Sequence, residues 1–253
     1  MADGMEIGAL LGSGNVAEAF AYGPHVLKLY RRPEARSAAF IEAATLSMLA
    51  DHGLPTPRVH EVGLFDGRWG LVMDRAAGAT LARFTERGVE LAPGGFEEML
   101  RLHRLIHAEA DPRLPSLTAR LRYRISRIDG IDEGLRARLL ARLAALPDGD
   151  RLCHGDFHPF NIVGVPGSAT VIDWLDAASG PPAADVARSY MLIAAAAEDF
   201  AEGYVAAYAD AAEMAPAEIM AWVPAVAAAR LVHENADANE RVRLLRMIEA
   251  TLD

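Results

Sequence analysis

The chain is poor in several features that would assign a protein to a class at sight. Only one of its 253 residues is a cysteine, Cys153. No disulfide can form within the chain, and a lone thiol points to a reducing compartment. Long hydrophobic runs are absent: the longest apolar stretches, such as MLIAAAA at 191–197, are far too short to cross a bilayer. Positive charge is in deficit, with 25 Lys and Arg against 35 Asp and Glu and a net charge of −10. That balance disfavours a nucleic-acid partner, whose phosphates call for a basic surface. The arginine-rich stretches at 119–127 and 241–246 carry apolar residues at helical spacing and read as amphipathic helices with solvated basic faces. The first residues, MADGMEIGALLGSG, show no basic segment followed by an apolar run, so no secretory signal is expected. No fixed-period repeat or low-complexity linker is visible. The expectation is a soluble cytoplasmic protein with neither a membrane nor a nucleic-acid partner.

What is present is a large apolar fraction, 52%, enough for one large domain or two coupled lobes. The first third reads as strands around one helix. EIGALLGSG and VAEAFAYG are short and glycine-punctuated, and HVLKLYRR alternates so that Val26, Lys28 and Tyr30 share a face. The stretch from Pro33 to Gly53 reads as a helix with proline near its start and glycine after its end. RVHEVGLFDGRWGLVMDR reads as a hairpin turning at Asp66-Gly67. After residue 81 the pattern becomes helical, with helices near 93–109, 117–128 and 132–146, and alanine-rich helices over most of 183–252. A short strand, ATVIDW, lies between them. Strands first and helices later predict an α+β protein. The expected units are 1–76 and 77–253, the boundary falling near Arg75–Gly78.

The segment CHGDFHPFN at 153–161 concentrates the chemistry, and it supports three readings. His154, Asp156 and His158 alternate, so an extended backbone would point all three to one side as ligands for a divalent metal. Cys153 beside His154 would suit a nucleophile, although adjacent side chains in an extended segment point apart and a lone cysteine is usually a small buried hydrophobe. His103 and His107, one helical turn apart, read as ordinary helix-face residues. Phosphoryl transfer needs more parts: a carboxylate for the acceptor hydroxyl, oxygen ligands for magnesium, and a lysine on the nucleotide phosphates held by an acid. Asp156 suits the first role. Asn161, and Asp173 at the end of a short apolar strand, suit a hard cation that prefers oxygen.

HGDFHPFN at 154–161, followed by IDW at 172–174, resembles the signature of the aminoglycoside phosphotransferase/choline kinase-like family. Members share the bilobal protein-kinase-like fold: a small N-terminal antiparallel sheet with one helix, then a larger, mostly helical C-terminal lobe. The element order here is similar over nearly the whole chain. The resemblance implies that Asp156 is the catalytic aspartate and that Asn161 and Asp173 hold magnesium. It also implies that Lys28 binds ATP phosphates and is paired with Glu42. LLGSGNVAEAF resembles the glycine-rich loop over the phosphates, with Gly12, Ser13 and Gly14 at its tip and Ala17 where a third glycine would fall. Asp74–Ala76 resembles the connector that meets the adenine edge. His158 stands where related kinases carry a lysine, His154 would organise the loop, and Asp185 would brace it or cap a helix. Asp176 would approach the substrate or remain a loop acid. The implied activity is ATP- and magnesium-dependent phosphorylation of a small-molecule hydroxyl. Glu234, Asp237 and Glu240 would suit an amine-bearing acceptor, aminoglycoside-, choline- or amino-acid-like. A nucleotide-binding protein without catalysis and a His/Asp metal-dependent hydrolase are the alternatives.

Overall fold

The computed structural model describes residues 6–32, 34–85, 88–232 and 238–252. Pro33, Glu234 and Asp237 lie outside the described residues. The strands are β1 (Leu10–Ser13), β2 (Ala17–Tyr22), β3 (His25–Tyr30), β4 (Val59–Phe65), β5 (Arg68–Asp74), β6 (Ala82–Thr85), β7 (Gly88–Leu91), β8 (Arg151–Cys153), β9 (Ile162–Val163), β10 (Thr170–Val171) and β11 (Ala178–Gly180). The helices are α1 (Arg36–Leu49), α2 (Gly95–Ala108), α3 (Leu117–Ile125), α4 (Glu133–Ala145), α5 (Pro182–Ala194), α6 (Glu198–Ala211), α7 (Pro216–Met220), α8 (Val223–Arg230) and α9 (Ala238–Thr251). The architecture is α+β, with an antiparallel sheet early and helices thereafter. Two compact units divide it: one runs through Leu81 and takes in Phe160–Leu175, and the other holds Ala82–Pro159 and Asp176–Asp253.

In the first unit five strands form an antiparallel sheet in the order β1-β2-β3-β5-β4. The β4–β5 hairpin turns at Asp66 (φ 48°) and Gly67 (φ 76°), the left-handed pair that a two-residue turn between twisted strands requires. Tyr22, Leu27, Leu29 and Val72 form the buried cluster on one face. The alternate residues of β3, Lys28 and Tyr30, face α1, which packs on β4 and β5. Helix α1 runs into a short 3-10 turn and stops at Gly53 in the left-handed conformation (φ 65°), as the glycine predicts. The β9–β10 ladder is tied to this unit: Leu81 donates to the Ile162 carbonyl, and Val171 to that of Pro55.

The second unit is mostly helical. Helix α8 is buried from Val223 through Ala229, apolar on every side, and it packs against α3, α4, α5 and α9. Its alanines leave little side chain between backbones, which lets several helices approach it. The helices expected near 93–109, 117–128 and 132–146 appear as α2, α3 and α4. The pattern was expected to turn helical after residue 81, with the first helix near 93–109; before that helix β6 and β7 pair as a hairpin that was not anticipated. Arg83 and Glu90, opposite one another, form an ion pair across it. The stretch is too short for a helical period to register.

Strand β8 pairs with β11 and leads into the segment that begins at His154. Gly155 sits there at φ 81°, and a side-chain carbon added to it would overlap the backbone of Asp176. No other residue fits the turn. Gly155→Ala is therefore expected to destabilise the protein by at least about 2 kcal/mol, measured by urea denaturation. An unchanged midpoint would show that the turn relaxes freely.

Candidate active site

Lys28 lies on β3 and is 8% exposed. Its ammonium donates to both Glu42 oxygens at 2.8 Å and to Asp173 Oδ1 at 2.9 Å. Glu42, on α1, is fully buried and also accepts a short bond from the Tyr30 hydroxyl. Burial alone would push the lysine down, but the charges of Glu42 and Asp173 outweigh it and hold the ammonium protonated. Burial, and then the Glu42 charge, raise the Tyr30 phenol, which stays a donor. Lys28 is also the only lysine among 25 basic residues, the other 24 being arginine. A compact ammonium can meet two carboxylates at one point where a planar guanidinium would need more room. That count is a sequence signal that strand alternation alone does not use.

Asp173 follows β10 and Asn161 precedes β9, so the two stand at the same end of this two-stranded ladder. The Ile172 amide donates to the Asn161 carbonyl at 2.9 Å, fixing that end. Asp173 has φ 66°, a left-handed conformation that costs a non-glycine residue about 1–3 kcal/mol and that clusters at functional positions. Its side chain is 42% exposed while one oxygen engages Lys28. An amide and a carboxylate oxygen, beside a set with one more acid than base, fit a hard divalent cation.

A cavity of about 640 Å³ opens in the same unit, lined by Pro24, Pro57, Asp74, Ala76, Gly78 and Val165 among others. It is within the size of ordinary small-ligand pockets. The Asp74 carboxylate faces His60 at 2.7 Å and accepts the Arg58 amide. Those bonds outweigh burial and lower its pKa. Gly12 and Ser13, expected in a loop, lie in β1, where Gly12 pairs with Ala19 and Ser13 with Glu18. The turn begins only at Gly14. Arg31 ties it down, donating to the Ser13 hydroxyl at 2.6 Å and the Gly14 carbonyl at 2.9 Å.

In the second unit, Asp185 on α5 organises the segment 154–156. Its carboxylate accepts the amides of His154 (2.7 Å) and Gly155 (2.8 Å), and both His103 (3.1 Å) and His107 (3.2 Å) through Nε2. The Nδ1 atoms of those histidines meet the Tyr204 and Tyr208 hydroxyls at 2.7 and 2.6 Å. Burial favours a neutral Asp185, but the bonds from the two histidines outweigh it and hold the carboxyl well below its usual range. Asp185 is thus a brace and not a helix cap, since α5 begins after Pro181. His103 and His107 are buried, not ordinary helix-face residues; their i,i+4 spacing places both on one acid. Nothing in their local pattern announced Asp185, 78 residues or more away.

Asp156 faces His158 Nε2 and Arg188 Nη2, each at 3.6 Å. Burial would raise its pKa, but His158 and Arg188 keep it ionised. The Asp156 amide donates to His154 Nδ1, which points the buried His154 ring back into its own loop. The three alternating residues are therefore not a ligand set, because the backbone turns at Gly155 and is not extended. Among the described residues, the groups close enough to share an ion are His25–His60–Asp74 and His103–His107–Asp185. Cys153 is fully buried, its thiol pKa pushed up by burial and its Sγ directed to the Arg151 and Pro181 carbonyls. It is no nucleophile. Asp176 pairs with Arg124 at 3.1 Å, and Glu240 with Arg230 at 2.8 Å.

The family model described as "Phosphotransferase enzyme family" matches residues 17–222. The chain belongs to this phosphotransferase family. Its fold is that of solved family members of protein-kinase-like architecture. A thermostable mutant of aminoglycoside phosphotransferase APH(4)-Ia, in ternary complex with ADP and hygromycin B, is 18% identical over 96% of this chain and 92% of that one, with a TM-score of 0.72. LicA in complex with AMP is 17% identical over 98% and 92%, with a TM-score of 0.66. Aminoglycoside-3'-phosphotransferase of type VIII is 20% identical over 90% and 93%, with a TM-score of 0.64. A search of curated protein sequences finds no match. Among the described residues no helix of the phosphotransferase is long and apolar enough to cross a membrane.

The Asp185 brace carries a pH dependence. Burial, then the neighbouring His107, push His103 down to about 3 from 6.5. The folded state therefore binds fewer protons than the unfolded chain below pH 6.5, and stability is lost as pH falls toward 3. About 2 kcal/mol should disappear between pH 7 and 5 from this one group. Urea denaturation of wild type and His103→Gln at the two pH values checks it: the variant should lose less, and equal losses would exclude His103 as the source.

Proposed function

We propose that the protein is an ATP- and magnesium-dependent kinase that transfers the γ-phosphoryl group to a hydroxyl of a small molecule. The observation that carries this is the buried Lys28, held by Glu42 and Asp173, in a chain of the phosphotransferase family. Lys28 meets the nucleotide phosphates, and Glu42, fixed by Tyr30, holds it in place. Asn161 and Asp173 hold magnesium, which when bound offsets phosphate charge. The connector at Asp74–Ala76 borders the cavity that takes the adenine, and the end of β1 at Gly12 and Ser13, with the turn that begins at Gly14, covers the phosphates with its backbone.

Asp156 accepts the acceptor hydroxyl's proton as that oxygen bonds to the γ-phosphorus. The bond from phosphorus to the β-phosphate oxygen breaks, and its electron pair leaves with ADP. His158, beside Asp156, orients the carboxylate and faces the developing charge. His154 and Asp185 position the loop without touching the reactants. Most of the acceleration comes from alignment and charge stabilisation, with no covalent intermediate. A hydrolase built on histidine-bound metal has no ligand set in 154–158.

Millimolar MgATP is expected to raise the melting temperature by several degrees, corresponding to about 2–3 kcal/mol at a hundredfold excess over Kd. Asp173→Ala should remove most of that shift while remaining folded by circular dichroism. Absence of any shift in the wild type would contradict a nucleotide-dependent kinase.

A further inference from the structure

Four arginines cluster about Arg188, beside Asp156 and Asp176, within the second unit. Arg120 and Arg124 lie one turn apart on α3, Arg188 on α5 and Arg230 at the end of α8. Helix α8 packs against both α3 and α5. Arg188 Nη2 is 3.6 Å from Asp156 Oδ1, and its Nε donates to the Gly155 carbonyl. Arg124 reaches Asp176 at 3.1 Å and Arg120 at 3.8 Å. All four side chains keep some surface, between 11% and 23%. The acids paired with them are Asp156, Asp176 and Glu240, and the charge of Asp185 also acts on Arg120, so among the described residues four cations face four anions. When Asp156 takes the proton of the acceptor hydroxyl, one positive charge is left in surplus.

Such a cluster is unfavourable by itself. Burial, with the charges of Arg124 and Arg230, weakens Arg188's hold on its proton, and Arg124 and Arg188 act likewise on Arg120. Partly buried like charges of this kind are relieved by an anion. Arg120 and Arg230 are heavily committed, to the Asp176 and Ala177 carbonyls and to both oxygens of Glu240. Arg124 and Arg188 each carry five N–H donors in a planar fork and use few of them on protein, so a carboxylate or phosphate is the group they match.

We propose that the acceptor is an anionic hydroxy compound, bearing a carboxylate or phosphate group that Arg124 and Arg188 bind while its hydroxyl meets Asp156. The proposal rests on the kinase function above. It replaces the expectation of an amine read by Glu240, because Glu240 is taken up by Arg230 and a cationic substrate would meet arginines. The same pairing sets the specificity, since an amine at this position adds a fifth positive charge.

The test loads the full chain with magnesium and a non-hydrolysable ATP analogue, which occupies the nucleotide's own phosphate site. Melting temperature is then followed while four three-carbon hydroxy compounds are titrated separately: glycerol, glycerate, glycerol 3-phosphate and 3-amino-1,2-propanediol. Glycerate, glycerol 3-phosphate or both should give saturable stabilisation at concentrations about tenfold or more below the other two. The responding arm tells carboxylate from phosphate. Arg124→Gln should abolish that preference yet still respond to the nucleotide analogue, and Arg124→Lys should restore part of it; if the first does not fold, the second carries the comparison. Equal responses, no response to any compound, preference for the amine, or a preference unchanged in Arg124→Gln would each overturn the proposal. Loss of the analogue's own stabilisation would instead overturn the kinase function, and the two failures are separately visible.

Discussion

The buried carboxylate of Asp185 is the interaction on which the proposed chemistry leans. A charge placed that deep costs several kcal/mol unless donors surround it. Here two backbone amides and two imidazoles supply them, and the imidazoles are in turn held by Tyr204 and Tyr208. The result is a rigid post beneath the turn at Gly155. Asp156 is then presented by a backbone with little freedom, beside Arg188 and His158. Removing any one donor would leave a buried charge short of a partner, which ties helices α2, α5 and α6 to the shape of a three-residue loop.

The first unit repeats this division of labour. Glu42 is the buried acid, satisfied by Lys28 and Tyr30, and Asp173 is the half-exposed acid beside it. In each unit a hidden carboxylate fixes the geometry around a neighbouring, more exposed one. The arrangement also separates the two kinds of cation. The single lysine stands where one ammonium bridges two acids, whereas arginines with forked donors cluster beside Asp156 and Asp176. The proposed preference for an anionic acceptor follows from that second distribution rather than from the protein's net charge of −10.

Much of the fold was legible from local pattern. The Asp66-Gly67 turn, the alternation in β3 that puts Lys28 and Tyr30 on one face, and Gly53 after α1 each act within a few residues. The hairpin of β6 and β7 was not, because two four-residue strands carry too little periodicity. Lys28 and Glu42 were singled out by their likeness to a family, since a strand lysine and a helix glutamate usually face water, whereas Asp173 stood out at the end of a short apolar strand; that Lys28 pairs with Asp173, 145 residues away, is not written in local pattern. His103 and His107 went unrecognised for the same reason, their partner Asp185 lying on a distant helix. His154 and His158 drew attention as metal ligands because an extended backbone was assumed, and Gly155 at positive φ removes that assumption. Glu240 was read as open to a substrate, yet Arg230 ten residues earlier occupies it.

Following the phosphorus atoms themselves tests the central claim most directly. Phosphorus NMR of MgATP, incubated with the protein and a small-molecule extract of its source cells, should show γ-phosphate signal lost as ADP forms and a new phosphomonoester resonance appears. Asp156→Asn should slow that transfer by about a hundredfold or more while still binding nucleotide. Growth of inorganic phosphate alone, or transfer undiminished in Asp156→Asn, would contradict the account.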